Sequence, residues 1–370
     1  MSLLAEMNQK AQELGVPLSV QLDVTYRCNE RCVHCYLDHE DHGELSTVEI
    51  KDVLTQLSEA GVFFLTLSGG EILMRRDLFE IVEFARRLLF HVKLKTNGVM
   101  IHEAEAKRIR ELGVAEVQIS VYSHRAGVHD AITKLPGSWK RTIAAIRFLR
   151  SQGLKVTIAN VLMTANWFDY SGVILLAEEL GVAYTVDPTI TPKIDGDSSI
   201  LKLRVDGSEL NRLFHDPNLV GDVQQFCAPP PPPGEDVMEG YPCSAGHTSC
   251  YISPYGDVFP CVQFPLPSGN VRKQRFIDIW RDSVQLRQVR SIRAKDLLTC
   301  SSCAHVGTCT RCPGLAYMEG TMLGPSTADC QKSFQRTGVP TANMLSQLHN
   351  PAAMPLVQIQ PMWAESAEAR

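Results

Sequence analysis

Residues 18–36 read LSVQLDVTYRCNERCVHCY, and both halves of the stretch bear on the fold. In the first half Leu18, Val20, Leu22 and Val24 alternate with Ser19, Gln21 and Asp23, the period of two of a strand with one apolar and one polar face. The polar face is open to a ligand. In the second half Cys28, Cys32 and Cys35 fall within eight residues, directly after the strand, where parallel α/β folds bind their ligands. Three thiolates so close can wrap one metal centre. A cubane iron-sulfur cluster held by three cysteines keeps one iron open; a zinc site completed by His34 or His39 is the alternative.

The pattern repeats outward from that strand. Ser46 and Glu49 have capping-box spacing, and Ile50, Val53, Leu54 and Leu57 then mark one face of a helix ending at Gly61. A second apolar run, VFFLTLS at 62–68, follows at once. Further strands read at HVKLKT (91–96), AEVQISV (115–121), KVTIANVLM (155–163) and VAYTVDP (182–188). Helices fall around Leu78 to Leu88, up to Gly113, from about Ser138 to Gly153, and up to Gly181. Six strands in βα units predict a parallel sheet with right-handed crossovers. Six are too few for an eight-stranded barrel, which leaves an open doubly wound sheet or a partial barrel.

The chain has 370 residues, 44% hydrophobic and 21% charged, the balance of a soluble globular protein of two ordinary domains. Its net charge of −5 supplies no basic field for nucleic acid or an anionic membrane. The opening MSLLAEMNQKAQELG lacks the features of a signal peptide, and no apolar run is long enough to span a bilayer, so a cytoplasmic location is expected. Twelve cysteines in a reducing compartment point to metal or redox use. Three lie at 28, 32 and 35, none between 36 and 226, and nine between 227 and 330.

The βα theme stops near residue 205. A linker over 206–240 contains five consecutive prolines, Pro229 to Pro233, an extended spacer. Residues 241–335 are rich in Cys and Gly, with CYISPYGDVFPC (250–261) reading as a hairpin that turns at Pro-Tyr-Gly-Asp. This second domain has too few apolar residues to stand without metals. Residues 336–370 read as a mobile tail with a short helix near Asn343 to Leu348.

The Cys28-x3-Cys32-x2-Cys35 spacing after the first strand, with the aromatic His34 before the third cysteine, closely resembles the radical S-adenosylmethionine (SAM) enzymes. The resemblance covers about residues 16–200 and implies a partial (β/α)6 TIM barrel, here 1–205. In that family the open iron binds the amino and carboxylate groups of SAM, and one electron cleaves the sulfonium to give a 5′-deoxyadenosyl radical. Ser68-Gly69-Gly70-Glu71 after the second strand resembles the family's GGE motif, which receives the SAM ammonium. Glycine allows close backbone approach and Glu71 supplies charge. Ser120 at the end of the fourth strand matches a ribose or carboxylate contact, and Asn160 on the fifth lies near the adenine-contacting segment. Either residue read alone is equally a strand cap.

The distal cysteines, Cys243-x12-Gly256-x4-Cys261, then Cys300-x2-Cys303-x5-Cys309-x2-Cys312, then Cys330, resemble the SPASM extension of radical SAM proteins. With Cys250 they are eight, enough for two four-cysteine clusters, for a total of three 4Fe-4S clusters. The resemblance assigns Cys243, Cys250, Cys261 and Cys312 to one auxiliary cluster and Cys300, Cys303, Cys309 and Cys330 to the other. The gap before Cys312 is two residues where the family usually has three. Structural zinc ribbons are the alternative use of such pairs. Cys227 is left over, an ordinary thiol or a ligand to an open iron or a substrate attachment point.

SPASM proteins mostly modify ribosomal peptides or mature protein-borne cofactors, so the resemblance implies an oxidoreductase that installs a cross-link or related change in a peptide, like the pyrroloquinoline quinone and mycofactocin enzymes. Its sulfatase-maturing members carry an acidic base directly after the third SPASM cysteine, whereas Val262 and Gln263 follow Cys261. About fifteen residues precede the first strand, so a separate leader-binding protein is expected to deliver the peptide. A flavodoxin or ferredoxin would supply low-potential electrons. The alternatives are a tetrapyrrole side-chain oxidase of the haem pathway and a non-catalytic iron-sulfur electron carrier or redox sensor. Asp187, ending the sixth strand, is either an acid/base or a cap.

Overall fold

The architecture was analysed in a computed structural model that describes residues 3–349. After a first helix α1 (Leu3–Leu14) come β1 (Ser19–Thr25), α2 (Thr47–Glu59), β2 (Phe64–Gly69), α3 (Leu78–Arg87), β3 (His91–Thr96), α4 (Glu103–Glu111) and β4 (Glu116–Ser120). Then follow α5 (Ala126–Thr133), α6 (Ser138–Ser151), β5 (Val156–Val161), α7 (Tyr170–Glu179) and β6 (Ala183–Asp187). Neighbouring strands from β1 to β6 pair in parallel. The sheet does not return from β6 to β1, which makes the barrel a partial one.

Local chemistry accounts for the helices. Ser46 caps α2, its amide donating to Glu49 Oε2 at 2.8 Å and its Oγ accepting from the Glu49 amide at 3.3 Å. Ile50, Val53, Leu54 and Leu57 are then buried together against Val20, Leu22 and Leu65 of the sheet. Burying such side chains contributes about 1.5–3 kcal/mol each. The apolar face of β1 thus fixes which way Gln21 and Asp23 turn, toward the inside of the barrel.

The hairpin joins this sheet instead of standing apart. β7 (Ser249–Ile252) pairs in parallel with β1, Ser19 opposite Ser249, and β8 (Asp257–Phe259) and β9 (Gly269–Asn270) continue antiparallel. The order is β6-β5-β4-β3-β2-β1-β7-β8-β9. Without β7, β1 would expose a row of unpaired backbone groups. Helix Phe276–Asp282 closes the same seam: Phe276, Ile279 and Trp280 enter the barrel's own core, and Trp280 Nε1 donates to Gly15 O at 2.6 Å. The Cys-rich region therefore shares the barrel's core at this seam, and keeps a small cluster of its own around Phe264, Leu266 and Met322.

Pro229–Pro233 runs without helix or strand between short helices Val223–Phe226 and Glu235–Met238. Helix Thr327–Thr337 carries Cys330, and a helix over Ala342–His349 follows. Of the expected tail over 336–370, residues 336–349 are described and end in this helix, and 350–370 lie outside the described residues.

Candidate active site

The loop after β1 is held from two sides. The amides of Arg31 and Val33 donate to the carbonyls of Thr133 and Ile132 at the end of α5, each at 3.0 Å, and the Cys35 amide donates to Cys32 O at 3.0 Å. Beneath the loop, the Gly70 amide donates to Thr25 O at 2.7 Å and the Glu71 amide to Arg27 O at 2.9 Å. A Cβ on Gly69 (φ +138°) would stand 2.1 Å from Thr25 O, and one on Gly70 would stand 2.4 Å from Arg27 O. Only glycine lets β2 end so close to the backbone that leads into Cys28.

A cavity of about 350 Å³ opens above this contact, lined by Cys28, Cys32, Cys35 and His34 and by Gly69, Gly70 and Ser120. It extends across Gln21, Lys95 and Asn97 to Val262 and Gln263 beside Cys261. Burial pushes the Cys28 thiol up to about 12 and raises Cys32 and Cys35 as well. The free thiols stay protonated at neutral pH, and metal binding must displace their protons. Burial also lowers His34 to about 4, so its ring is neutral; it meets Tyr122 edge-on at 4.8 Å, and its buried Nδ1 lacks a partner among the described residues.

Two expected SAM contacts stand elsewhere. Glu71 is fully buried and does not line the cavity: its carboxylate accepts from the Leu73 amide at 3.0 Å, Thr96 Oγ1 at 2.8 Å and the Asn97 amide at 2.8 Å. The motif's acid thus ties β2 to β3, while its glycines face the cavity. Asn160 is buried behind the wall, with its Oδ1 accepting from Asn166 Nδ2 at 3.3 Å; Val161 is the lining residue there. Asp187 both lines the cavity and accepts from the Thr189 amide at 2.8 Å. Asn97, which donates to Asn29 Oδ1 at 2.7 Å, went unread in the sequence. Its position just past the end of β3, at the mouth of the sheet, was the available signal.

The distal thiols gather into two groups. Cys300, Cys303, Cys309 and Cys330 line one small cavity with Arg311 and Asp329. Cys243, Cys250 and Cys312 are each electrostatic neighbours of Cys261. Among the described residues no three Cys, His, Asp or Glu side chains converge tightly enough for a single metal ion. Cys227 joins neither group and points its thiol at Phe214 O, 3.2 Å away.

Under the cavity floor Asp23 accepts from Gln21 Nε2 and from the Tyr251 hydroxyl, both at 3.0 Å, and Tyr251 shares a 2.6 Å hydrogen bond with Tyr26. The network joins β1 to β7. Burial pushes the Asp23 carboxyl up to about 6 from an ordinary 3.8. The folded chain then holds this proton more tightly than the unfolded chain. Its stabilisation is complete below pH 3.8 and lost as pH rises through about 6, a change of about 3 kcal/mol. Asp23→Asn is expected to raise the thermal midpoint at pH 8 more than at pH 5; an equal shift at both would assign the pH dependence to another group.

A partial parallel barrel whose mouth carries three cysteines over a Gly-Gly turn, with a hairpin bearing Cys250 paired to its first strand and a second cysteine group in a cavity of its own, is the architecture of an iron-sulfur enzyme of the radical type. Comparison with known proteins agrees: residues 22–169 match the radical SAM superfamily and residues 243–313 match an iron-sulfur cluster-binding domain, SPASM. The AdoMet-dependent heme synthase of Methanosarcina barkeri is 30% identical over 329 residues, taking in 82% of this chain and 93% of that protein. The mycofactocin maturase of Mycobacterium tuberculosis is 29% identical over 339 residues, covering 88% of this chain and 85% of its own. Among solved structures, Streptococcus suis SuiB bound to its precursor peptide SuiA superposes with a TM-score of 0.70 at 19% identity, over 89% of this chain and 80% of that one.

The chain belongs to the radical SAM superfamily, in the branch with a C-terminal SPASM domain, and is an enzyme of radical chemistry rather than an electron carrier. SAM and 4Fe-4S clusters are the cofactors these domains imply. The residues present fit them: three thiols share one cavity with two glycines that leave their backbone bare and a neutral buried imidazole. No described helix is long and apolar enough to cross a membrane.

Proposed function

We propose that this enzyme is a peptide maturase that removes hydrogen from a ribosomal peptide and installs a cross-link or related oxidative modification. The observation that carries the reading is the single cavity running from Cys28, Cys32 and Cys35 to Val262 and Gln263 beside Cys261. A substrate atom held there lies between a radical source and an electron acceptor. When bound, the cluster and SAM supply one electron and a 5′-deoxyadenosyl radical. Cys28, Cys32 and Cys35 are the ligands of that cluster, and His34, Gly69, Gly70 and Ser120 contact SAM. Glu71 supports the Gly-Gly turn from behind. The distal groups, Cys243, Cys250, Cys261 and Cys312 and then Cys300, Cys303, Cys309 and Cys330, would hold two auxiliary 4Fe-4S clusters, which would supply electron-accepting centres beside the cavity.

The mycofactocin maturase relative and the peptide seated on SuiB favour a peptide as carrier. A leader-binding protein, a flavodoxin or ferredoxin donor, and a reducing cytoplasm complete the reading. The relative named heme synthase favours a second substrate, a tetrapyrrole side chain entering the same cavity. The test uses peptides encoded by short reading frames beside the gene, made with deuterated side chains. Deuterium in 5′-deoxyadenosine supports the peptide reading. Deuterium from none of them, with tight binding of a haem precursor seen in its absorption band, would replace it by the second.

A further inference from the structure

The cavity contains a cation that the reading so far leaves without a task. Lys95, near the carboxyl end of β3, lines the cavity, and its ammonium donates to Gln21 Oε1 at 2.9 Å. Lys93, two residues earlier on the same face of the strand, pairs with Glu116 at 3.0 Å. Lys95 has no such partner among the described residues: the nearby Asp23 carboxylate lies beyond Gln21, whose Nε2 donates to it at 3.0 Å. Gln21 is thus oriented with its oxygen toward the ammonium and its amide toward the acid. An ammonium has three donors, and the one spent on Gln21 leaves two for the cavity.

We propose that Lys95 anchors a carboxylate of the substrate. An ammonium withdrawn from water with one neutral partner is costly to hold, and a ligand carboxylate completes it with a charge-assisted hydrogen bond. Burial also disfavours the charged form of Lys95, against the pull of Asp23 and Cys261. The methionyl carboxylate of SAM is the rival occupant, and the surroundings disfavour it. Asn97, two residues further along the chain, is the one that reaches Cys28, at 3.9 Å, whereas Lys95 reaches Gln21 on β1, which stands opposite Tyr251 of β7. Lys95 therefore serves the half of the cavity toward the SPASM domain, where the substrate must lie. The carboxylate is a chain terminus or an acidic side chain.

The inference rests on that half of the cavity being the substrate site, yet its test needs no turnover and no natural substrate. Full-length reconstituted enzyme, saturated with SAM, is titrated calorimetrically with two matched pairs of probes. N-acetyl-dialanine and its amide stand for a chain terminus; N-acetyl-glutamyl-methylamide and its glutaminyl counterpart stand for a side chain. One acid is expected to bind roughly tenfold tighter than its amide, the size of a charge-assisted hydrogen bond, and which acid does so identifies the source. Lys95→Met should abolish the preference and Lys95→Arg retain it, with SAM affinity unchanged in both. No binding of either acid, equal binding within both pairs, a preference that survives Lys95→Met, or loss of SAM affinity in Lys95→Met overturns the assignment. Deuterium transfer from no peptide would sink the peptide reading and leave this result standing.

Discussion

Cys32→Ala is expected to carry about four fewer iron atoms per chain than the parent enzyme and to release no measurable 5′-deoxyadenosine from SAM and dithionite. Cys32 is the middle member of the triplet, and its carbonyl anchors the Cys35 amide at 3.0 Å. The loop cannot shift to recruit another thiol, because Arg31 and Val33 are tied to the end of α5. The remaining cysteines are committed elsewhere: Cys300, Cys303, Cys309 and Cys330 share their own cavity, and Cys261 stands among Cys243, Cys250 and Cys312. Cys227→Ala, whose thiol meets Phe214 O, is the matched control and should change neither iron content nor product. Iron and sulfide counting on anaerobically reconstituted protein, beside chromatographic assay of the nucleoside, measures both effects. Full iron content in Cys32→Ala would remove the residue from the ligand set.

Gly70→Ala is expected to be nearly as damaging without touching a thiol. Its Cβ would lie 2.4 Å from Arg27 O, 2.5 Å from Tyr26 O and 2.8 Å from Arg27 C. All three are backbone atoms, so no side chain can swing away, and the strain passes straight into the residues before Cys28. Overpacking of this kind costs about 3 kcal/mol. A shift of the loop by an ångström lowers turnover roughly a hundredfold. Gly127→Ala is the control, since a Cβ there meets nothing within 4 Å. A lowered thermal midpoint together with slow SAM cleavage in Gly70→Ala, and neither in Gly127→Ala, is the predicted pattern. Parent-like behaviour in Gly70→Ala would mean that the Gly-Gly turn does not support the cluster loop.

Features that depend on nearby residues were legible in the sequence. The alternation of Val20 and Leu22 with Gln21 and Asp23 marks β1, and the Ser46–Glu49 box starts α2 where the structure has it. α5 was missed: AGVHDAIT is short, contains glycine and three β-branched residues, and carries no side-chain N-cap bond. The pairing of β7 with β1 joins Ser19 to Ser249, a separation across which no periodicity extends, so the hairpin read as part of a separate domain. The cysteines announce themselves by spacing. Glu71 and Asn160 do not announce their direction: each sits beside a lining residue, and whether a polar side chain faces the cavity or the wall is decided by packing from other strands. Lys95 likewise gains meaning only when Gln21, seventy-four positions earlier in the chain, is beside it.

The central claim is that Cys28, Cys32 and Cys35 form the radical source of this enzyme. It is tested most directly by incubating the anaerobically reconstituted full-length protein, loaded with about twelve iron atoms per chain as three 4Fe-4S clusters require, with SAM and dithionite. The account predicts steady formation of 5′-deoxyadenosine and methionine in equal amounts. Fully loaded protein that leaves SAM intact would contradict it.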